Sequence, residues 1–244
     1  MDLKSPKFRR WNCLVTWVLG ALIGCSSAGL SRAEEPAEGG SPFFQEVVHE
    51  FKTMTATRYQ HKTAVDPAKG VYCYDCVGFV SYALRHSAPQ AWASAVAGCG
   101  IRKGYFPSPP AYQKFFAGLV EAPQPGWQSV SKVSELRPGD VISWDHKTAT
   151  AVGHAVVVAG KPSNQGDGVW IVEVYDSTGS PHQEDSRAGD ARAQPLEDGG
   201  ARSGLGHGVI ALVADETSGA LTGYRWSPKA KTIVAPIAAA RPTS

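Results

Sequence analysis

The sequence predicts an α+β fold in which helices from its first half pack on an antiparallel β-sheet built from its second. Two observations lead there. Apolar residues recur at helical spacing from Phe43 to Val120, and β-branched runs broken by Gly and Pro take over after Leu136. A third bounds the size. No internal repeat is visible, and roughly 190 residues remain once the two ends are set aside, enough for one domain with a sizeable core.

In "PFFQEVVHEFKTM", Phe43, Phe44, Val47, Val48 and Phe51 share a helical face, so Pro42–Met54 reads as an amphipathic helix. Cys76–His86 repeats the pattern through Val77, Phe79, Val80, Ala83 and Leu84, with Asp75 placed to cap its N-terminus. Residues 87–130 are rich in Pro and aromatics, with a helix expected over Pro110–Val120. "LRPGDVISW" (Leu136–Trp144) is a Pro-Gly turn feeding a strand. "GHAVVVAGK" (Gly153–Lys161) and "VWIVEVYDS" (Val169–Ser177) are two more strands, joined by the polar hairpin "PSNQGDG". The Gly-, Asp- and Arg-rich stretch Thr178–Gly206 is long enough to suggest a functional loop. "GVIALVAD" (Gly208–Asp215) and "LTGYRW" (Leu221–Trp226) make a last hairpin.

Charge excludes one class of partner. The 24 basic and 22 acidic residues nearly cancel, and no basic patch is interleaved with aromatics, so a nucleic-acid partner is not expected. The N-terminus predicts export. Lys4, Lys7, Arg9 and Arg10 precede the apolar run Leu14–Gly24, which is too short for a comfortable membrane span. Two processing sites compete. "LIGC" matches a lipobox that would make Cys25 a lipid anchor, and "SRA" (Ser31–Ala33) suits ordinary signal peptidase. The expected location is therefore periplasmic, lipid-anchored at Cys25, or secreted, with contact to a membrane only through that signal or anchor. The boundaries expected are a signal at 1–33, a polar linker at 34–42, the folded domain at 43–227 and a flexible C-terminal tail at 228–244.

Export leaves Cys73, Cys76 and Cys99 in the mature chain, an odd number, so one thiol stays free or pairs outside the chain. Cys76 opens a helix, where the dipole and unpaired N–H groups favour the thiolate, and Gly78 beside it leaves room for a substrate. Downstream, His154 begins a strand and shares a face with Val156 and Val158. Cys plus His is the minimal pair for thiol acyl transfer, in which His takes the thiol proton and gives it to the leaving amine. A third polar group should orient the imidazole. Asp176, at a strand end beside the start of the His154 strand, is favoured over Glu173, and His182 lies just beyond. No metal or organic cofactor is required.

"YDCVGFVSYAL", "LRPGDVISW" and "GHAVVVAG" together resemble the NlpC-type papain-like cysteine peptidases of bacterial cell walls, with CHAP amidases as near relatives. Three motifs in the expected order cover roughly residues 55–177. The resemblance implies a papain-like fold with the nucleophile at a helix start, Cys76 as nucleophile, His154 as base and an orienter near Asp176. It implies hydrolysis of an amide bond, most naturally in peptidoglycan peptide. It also implies an oxyanion site with Tyr59 as donor, Tyr72 and Tyr74 as rivals, Asp75 alongside, and the Cys76 N–H as the second donor. The chain departs from the pattern in Val77 after the nucleophile, in the missing Gly-rich approach, in an insertion of about forty residues before the Pro-Gly-Asp turn, and in an acid where a His is common. Two other classes stay open. One is an inert exported binding or scaffold domain. The other is a Cys73-x-x-Cys76 redox pair, which would need a strand feeding the pair inside a βαβ unit. Pairing of Cys73 with Cys99 would leave Cys76 as the free thiol.

Overall fold

The spacing of apolar residues decides which face each element turns inward, and two cores result, one on each side of a long antiparallel sheet. The computed structural model describes residues 40–102, 104–148, 151–197 and 199–243. The expected signal and the linker up to residue 39 lie outside these residues. Helix α1 spans Pro42–Thr53, with Ser41 Oγ accepting from the Phe44 N–H at its start. Strands β1 (Ala56–Tyr59), β2 (Ala64–Asp66) and β3 (Val71–Tyr74) form a small sheet in which β3 lies between the other two. Helices α2 (Cys76–Ser87), α3 (Pro89–Gly98) and α4 (Pro109–Gly118) follow.

The remaining strands are β4 (Trp127–Val130), β5 (Val141–Asp145), β6 (Gly153–Val158), β7 (Ser163–Gly166) and β8 (Val169–Thr178). After them come β9 (Gln194–Pro195), β10 (Arg202–Ala214), β11 (Leu221–Arg225), β12 (Ile233–Val234) and β13 (Ile237–Pro242). They order as β12-β11-β10-β8-β6-β5-β13-β4, with β7 on β8 and β9 on β10. This is the α+β architecture expected, helices on an antiparallel sheet.

Period-two alternation separates the faces. Val141, Ala155, Val157, Tyr175 and Leu205 join the buried side chains of α1, α2 and α4. Their neighbours Ile142, Trp144, Val156, Val158, Val172, Val174 and Ile210 build a second core on the opposite face. Trp144 of β5 stacks on Tyr224 of β11 at 4.3 Å, although three strands separate them in the sheet. The sheet therefore curls around the second core, which the twist of antiparallel strands permits.

Three expectations need correcting. Residues 228–243 of the expected 228–244 tail do not form a flexible tail. Strand β13 pairs with both β5 and β4, and Arg241 donates to both oxygens of the fully buried Asp140 at 2.7 and 2.9 Å. Its Ala-rich face suits a strand flanked on both sides. Nor are Cys73 and Cys99 bonded: all three described cysteines are free, Cys73 facing Arg58 and Ala64 across the small sheet and Cys99 donating to the Ala111 carbonyl. Finally, Gly78 leaves no room for a substrate. A Cβ there would lie 2.8 Å from Thr63 Oγ1 and 2.9 Å from Tyr74 Cβ, so the glycine lets α2 press against the end of β3 and against Thr63 just before β2.

One buried acid has no charged partner. Glu50 of α1 is fully buried and accepts from the Tyr74 hydroxyl at 2.6 Å, and its other oxygen has no partner among the described residues. Burial pushes its carboxyl well above the usual range, against the smaller opposing pull of the Tyr74 hydrogen bond. The folded state thus keeps a proton that the unfolded chain releases above about pH 4.3. Stability should fall by about 1.4 kcal/mol per pH unit from there up to the folded pKa. Glu50→Gln removes that slope. Denaturant unfolding should show the variant matching the parent near pH 4 and exceeding it at pH 7; parallel pH dependences would refute a neutral Glu50.

Candidate active site

Cys76 is the first residue of α2, and Asp75 caps that helix by accepting from the Gly78 N–H at 2.7 Å. The strand β3 runs straight into it, as the redox reading requires. After α2, however, the chain continues into α3 and α4 rather than into a parallel strand, so no βαβ unit surrounds the pair. Cys76 is 4% exposed and packs in the same buried cluster as Ala155. Ala155 follows His154, so the strand that carries the imidazole packs against the helix that carries the thiol.

His154 stands at the start of β6 because Gly153 makes the turn into that strand. Gly153 has φ +144°, and a Cβ there would strike the Trp144 carbonyl oxygen at 2.1 Å. His154 shares the concave face with Val156, as alternation requires, and its ring meets Trp144 at 5.4 Å and Trp226 at 5.1 Å. Its Nε2–H donates to Asp176 Oδ2 at 2.6 Å. Glu173, the alternative orienter, lies elsewhere, 3.4 Å from His207 Nε2.

Asp176 is the hub of a buried network. Oδ2 also accepts from His182 Nε2 at 2.9 Å, and Oδ1 accepts from Arg187 Nη2 at 2.5 Å. Arg187 is fully buried, with its other donors on the Gly204 carbonyl and on Asp185 Oδ2. Burial pushes the Asp176 carboxyl up, but Arg187, His182 and the two imidazole hydrogen bonds outweigh it and hold it well below the usual range. His154, Asp176 and His182 bring three ligand-type atoms within 4.8 Å of one another. Both imidazoles share one oxygen and the Arg187 guanidinium holds the other, so a metal ion would meet a buried positive charge. The cluster is built as a charge network.

The thiol does not behave as its helix position suggested. Burial pushes Cys76 far up, the Asp75 carboxylate adds to this, and the Ala155 N–H offsets only part. Desolvation of a sulfur anion outweighs half a charge from a helix dipole, and the cap that starts the helix is itself an anion. Burial also lowers His154, with His182 and Arg187 acting in the same direction against the opposing pull of Asp176. Thiol and imidazole therefore rest as a neutral pair.

Two adjoining hollows flank this pair, of about 810 and 920 Å³, and both are walled by Tyr59, His61, Lys62 and Gly153. The first reaches Cys76, Asp75, Lys147 and Tyr105; the second reaches His154, Trp226, Tyr224 and Leu196. Tyr59 is pushed up by burial and then by the nearby Cys76, which puts its hydroxyl in the field of the thiol. The rival tyrosines are not available. Tyr74 is fully buried on Glu50, and Tyr72 is buried beside Thr53. Asp75 serves as the helix cap and faces His61 at 3.3 Å. Arg187 and His61 were not singled out from the sequence. The length of Thr178–Gly206 suggests a functional loop, but only folding brings Arg187 to Asp176.

No family model matches the chain, and no curated protein matches its sequence. Among solved structures, the crystal structure of a wild-type endolysin, LysIME-EF1, is similar over 69% of this chain and 59% of its own, at 13% identity and a TM-score of 0.34. The chain spans less than two thirds of that endolysin's length, and a likeness at this level carries nothing about the site.

Proposed function

We propose that the chain is an exported, papain-like thiol hydrolase that cleaves an amide bond in peptidoglycan peptide through Cys76, His154 and Asp176. One observation carries the chemistry: the buried His154–Asp176 pair sits on the strands that pack against the Cys76 helix, near enough for Asp176 to act on the thiol, beside two adjoining hollows, one reaching Cys76 and the other His154. The choice of cell-wall substrate, and of export, rests on the three motifs and on the N-terminal signal pattern.

The neutral pair makes His154 a general base. Its Nε2–H stays on Asp176, which leaves Nδ1 to take the Cys76 proton as sulfur attacks the carbonyl carbon. The Tyr59 hydroxyl and a first-turn N–H of α2 are the donors for the oxyanion. The protonated ring then delivers its proton to the amine as the C–N bond breaks, and water hydrolyses the thioester by the same route. Because sulfur carries the acyl group, the hollow around Cys76, Lys62 and Lys147 holds the acyl part. The leaving amine, protonated by His154, sits against Trp226 and Tyr224.

Incubating purified protein with peptidoglycan and weighing the released fragments tests this directly. Fragments should gain one water at a single type of amide bond, and Cys76→Ala should release none. Intact peptidoglycan and synthetic peptide amides would favour an inert binding domain. Tyr59→Phe should lower kcat roughly 10- to 100-fold with little change in KM, as expected on losing one oxyanion donor; an unchanged kcat would remove Tyr59 from that role.

A further inference from the structure

The network behind His154 contains a second histidine that the acyl-transfer scheme does not use. His182 Nε2 lies 2.9 Å from Asp176 Oδ2, and its Nδ1 lies 3.1 Å from the Trp226 backbone carbonyl. A carboxylate oxygen and a carbonyl oxygen only accept. Both ring nitrogens must therefore carry protons, and a ring with two N–H groups is an imidazolium. We propose that His182 is held as an imidazolium and is a positioning residue, sharing the charge of Asp176 with Arg187 so that His154 works as a neutral base.

Three further features fit a cation at this place. The His182 side chain is fully buried, with its ring 4.1 Å from the Trp226 ring, a surface that attracts positive charge. Its backbone N–H donates to Asp185 Oδ2 at 2.7 Å, which fixes the ring's approach. The buried charges balance only with His182 protonated: Arg187 and His182 face Asp176 and Asp185. The other titratable groups around this centre are His154 on β6, Cys76 on α2, Tyr59 on β1 and, beyond Asp185, His207 on β10 with its partner Glu173. Burial alone would lower His182, yet Asp176 and the Trp226 carbonyl raise it above the ordinary histidine value, in agreement with the geometry. With a neutral His182, two buried carboxylates would face one guanidinium, and the deficit would draw a proton onto His154.

The role as positioning residue rests on the reading of His154 as base, but the protonation state does not. Nitrogen-15 spectra of the histidine-labelled full chain should show protons on both His182 nitrogens from pH 5.5 to 7.5, and a single proton on His154 at pH 7. A neutral His182 at pH 7 overturns the proposal. His182→Gln keeps a donor for Asp176 and removes the charge. Its His154 titration should rise by about one pH unit or more, and the acid limb of kcat/KM should move up with it. A merely structural role would lower the melting temperature and leave the His154 midpoint in place, which also overturns the proposal. Should the variant not fold, the wild-type spectrum still decides. A doubly protonated His182 in a protein that leaves peptidoglycan intact would sink the proposed hydrolase and leave this inference standing.

Discussion

Cys76→Ser should abolish hydrolysis, by on the order of 10³-fold or more, while the fold is retained. The substitution changes one atom at a site that is 4% exposed, so packing is barely altered. What changes is acidity. A hydroxyl gives up its proton far less readily than a thiol, and here the base is weak: burial, His182 and Arg187 together hold His154 below its ordinary value. A base weakened in this way can assist a thiol and not an alcohol. The same balance sets the pH profile. Activity should appear as His154 loses its proton, so the acid limb lies below the ordinary histidine value of about 6.5. The thiol, pushed far up by burial and Asp75, gives no second limb near neutrality. Alkylation of Cys76 by iodoacetamide should be no faster at pH 7 than that of a free cysteine and should climb steadily as pH rises. A plateau reached below pH 6 would mean a standing thiolate–imidazolium pair and would overturn the general-base scheme.

How far the sequence reveals this site depends on whether a residue's role is local. Helices α1 and α2 are legible because their apolar residues repeat along one face, and the Asp75 cap is legible because a cap acts three residues away. The Asp176 bond to His154 follows from antiparallel pairing of two recognisable strands, which places strand end beside strand start. The short strands β1 to β3 escape because three or four residues give too little alternation to read. Strand β13 escapes because "IAAARP" has the composition of a loose end; its pairing with β5 and β4, and the Arg241–Asp140 bridge, join positions a hundred residues apart. Arg187 is the hardest case. A basic residue among glycines and acids reads as solvated loop, and its burial comes from partners at Asp176, Asp185 and Gly204 that no local pattern joins. The thiol's acidity is hidden for a related reason: the helix dipole can be read from sequence, and burial cannot.

Arg187→Met should destabilise the protein by about 3–5 kcal/mol, more than the loss of any surface ion pair. Methionine fills similar space, so the effect isolates charge and hydrogen bonding. Arg187 donates to the Gly204 carbonyl at 2.7 Å, to Asp185 at 2.6 Å and to both the side chain and the carbonyl of Asp176. Gly206 makes the space, since a Cβ there would lie 2.5 Å from the guanidinium carbon. Without the arginine, two buried carboxylates keep only His182 as a countercharge. Arg187→Lys should recover a minor part, because an ammonium cannot serve the partners that a planar fork spans. Lys69→Met is the internal comparison: the Lys69–Asp66 pair is 77% and 42% exposed, so solvent screens it and its loss should change stability far less. pH supplies the decisive sign. In the parent, the depressed Asp176 contributes stability that is present above the unfolded carboxyl pKa and is lost as pH falls through the folded one. In Arg187→Met the main opposing charge is gone, burial raises Asp176, and protonation relieves the defect. The stability gap between the two proteins should therefore narrow as pH falls from 7 to 4. A gap that is constant over that range, or below about 1 kcal/mol at pH 7, would show that Arg187 is not what holds Asp176 ionised.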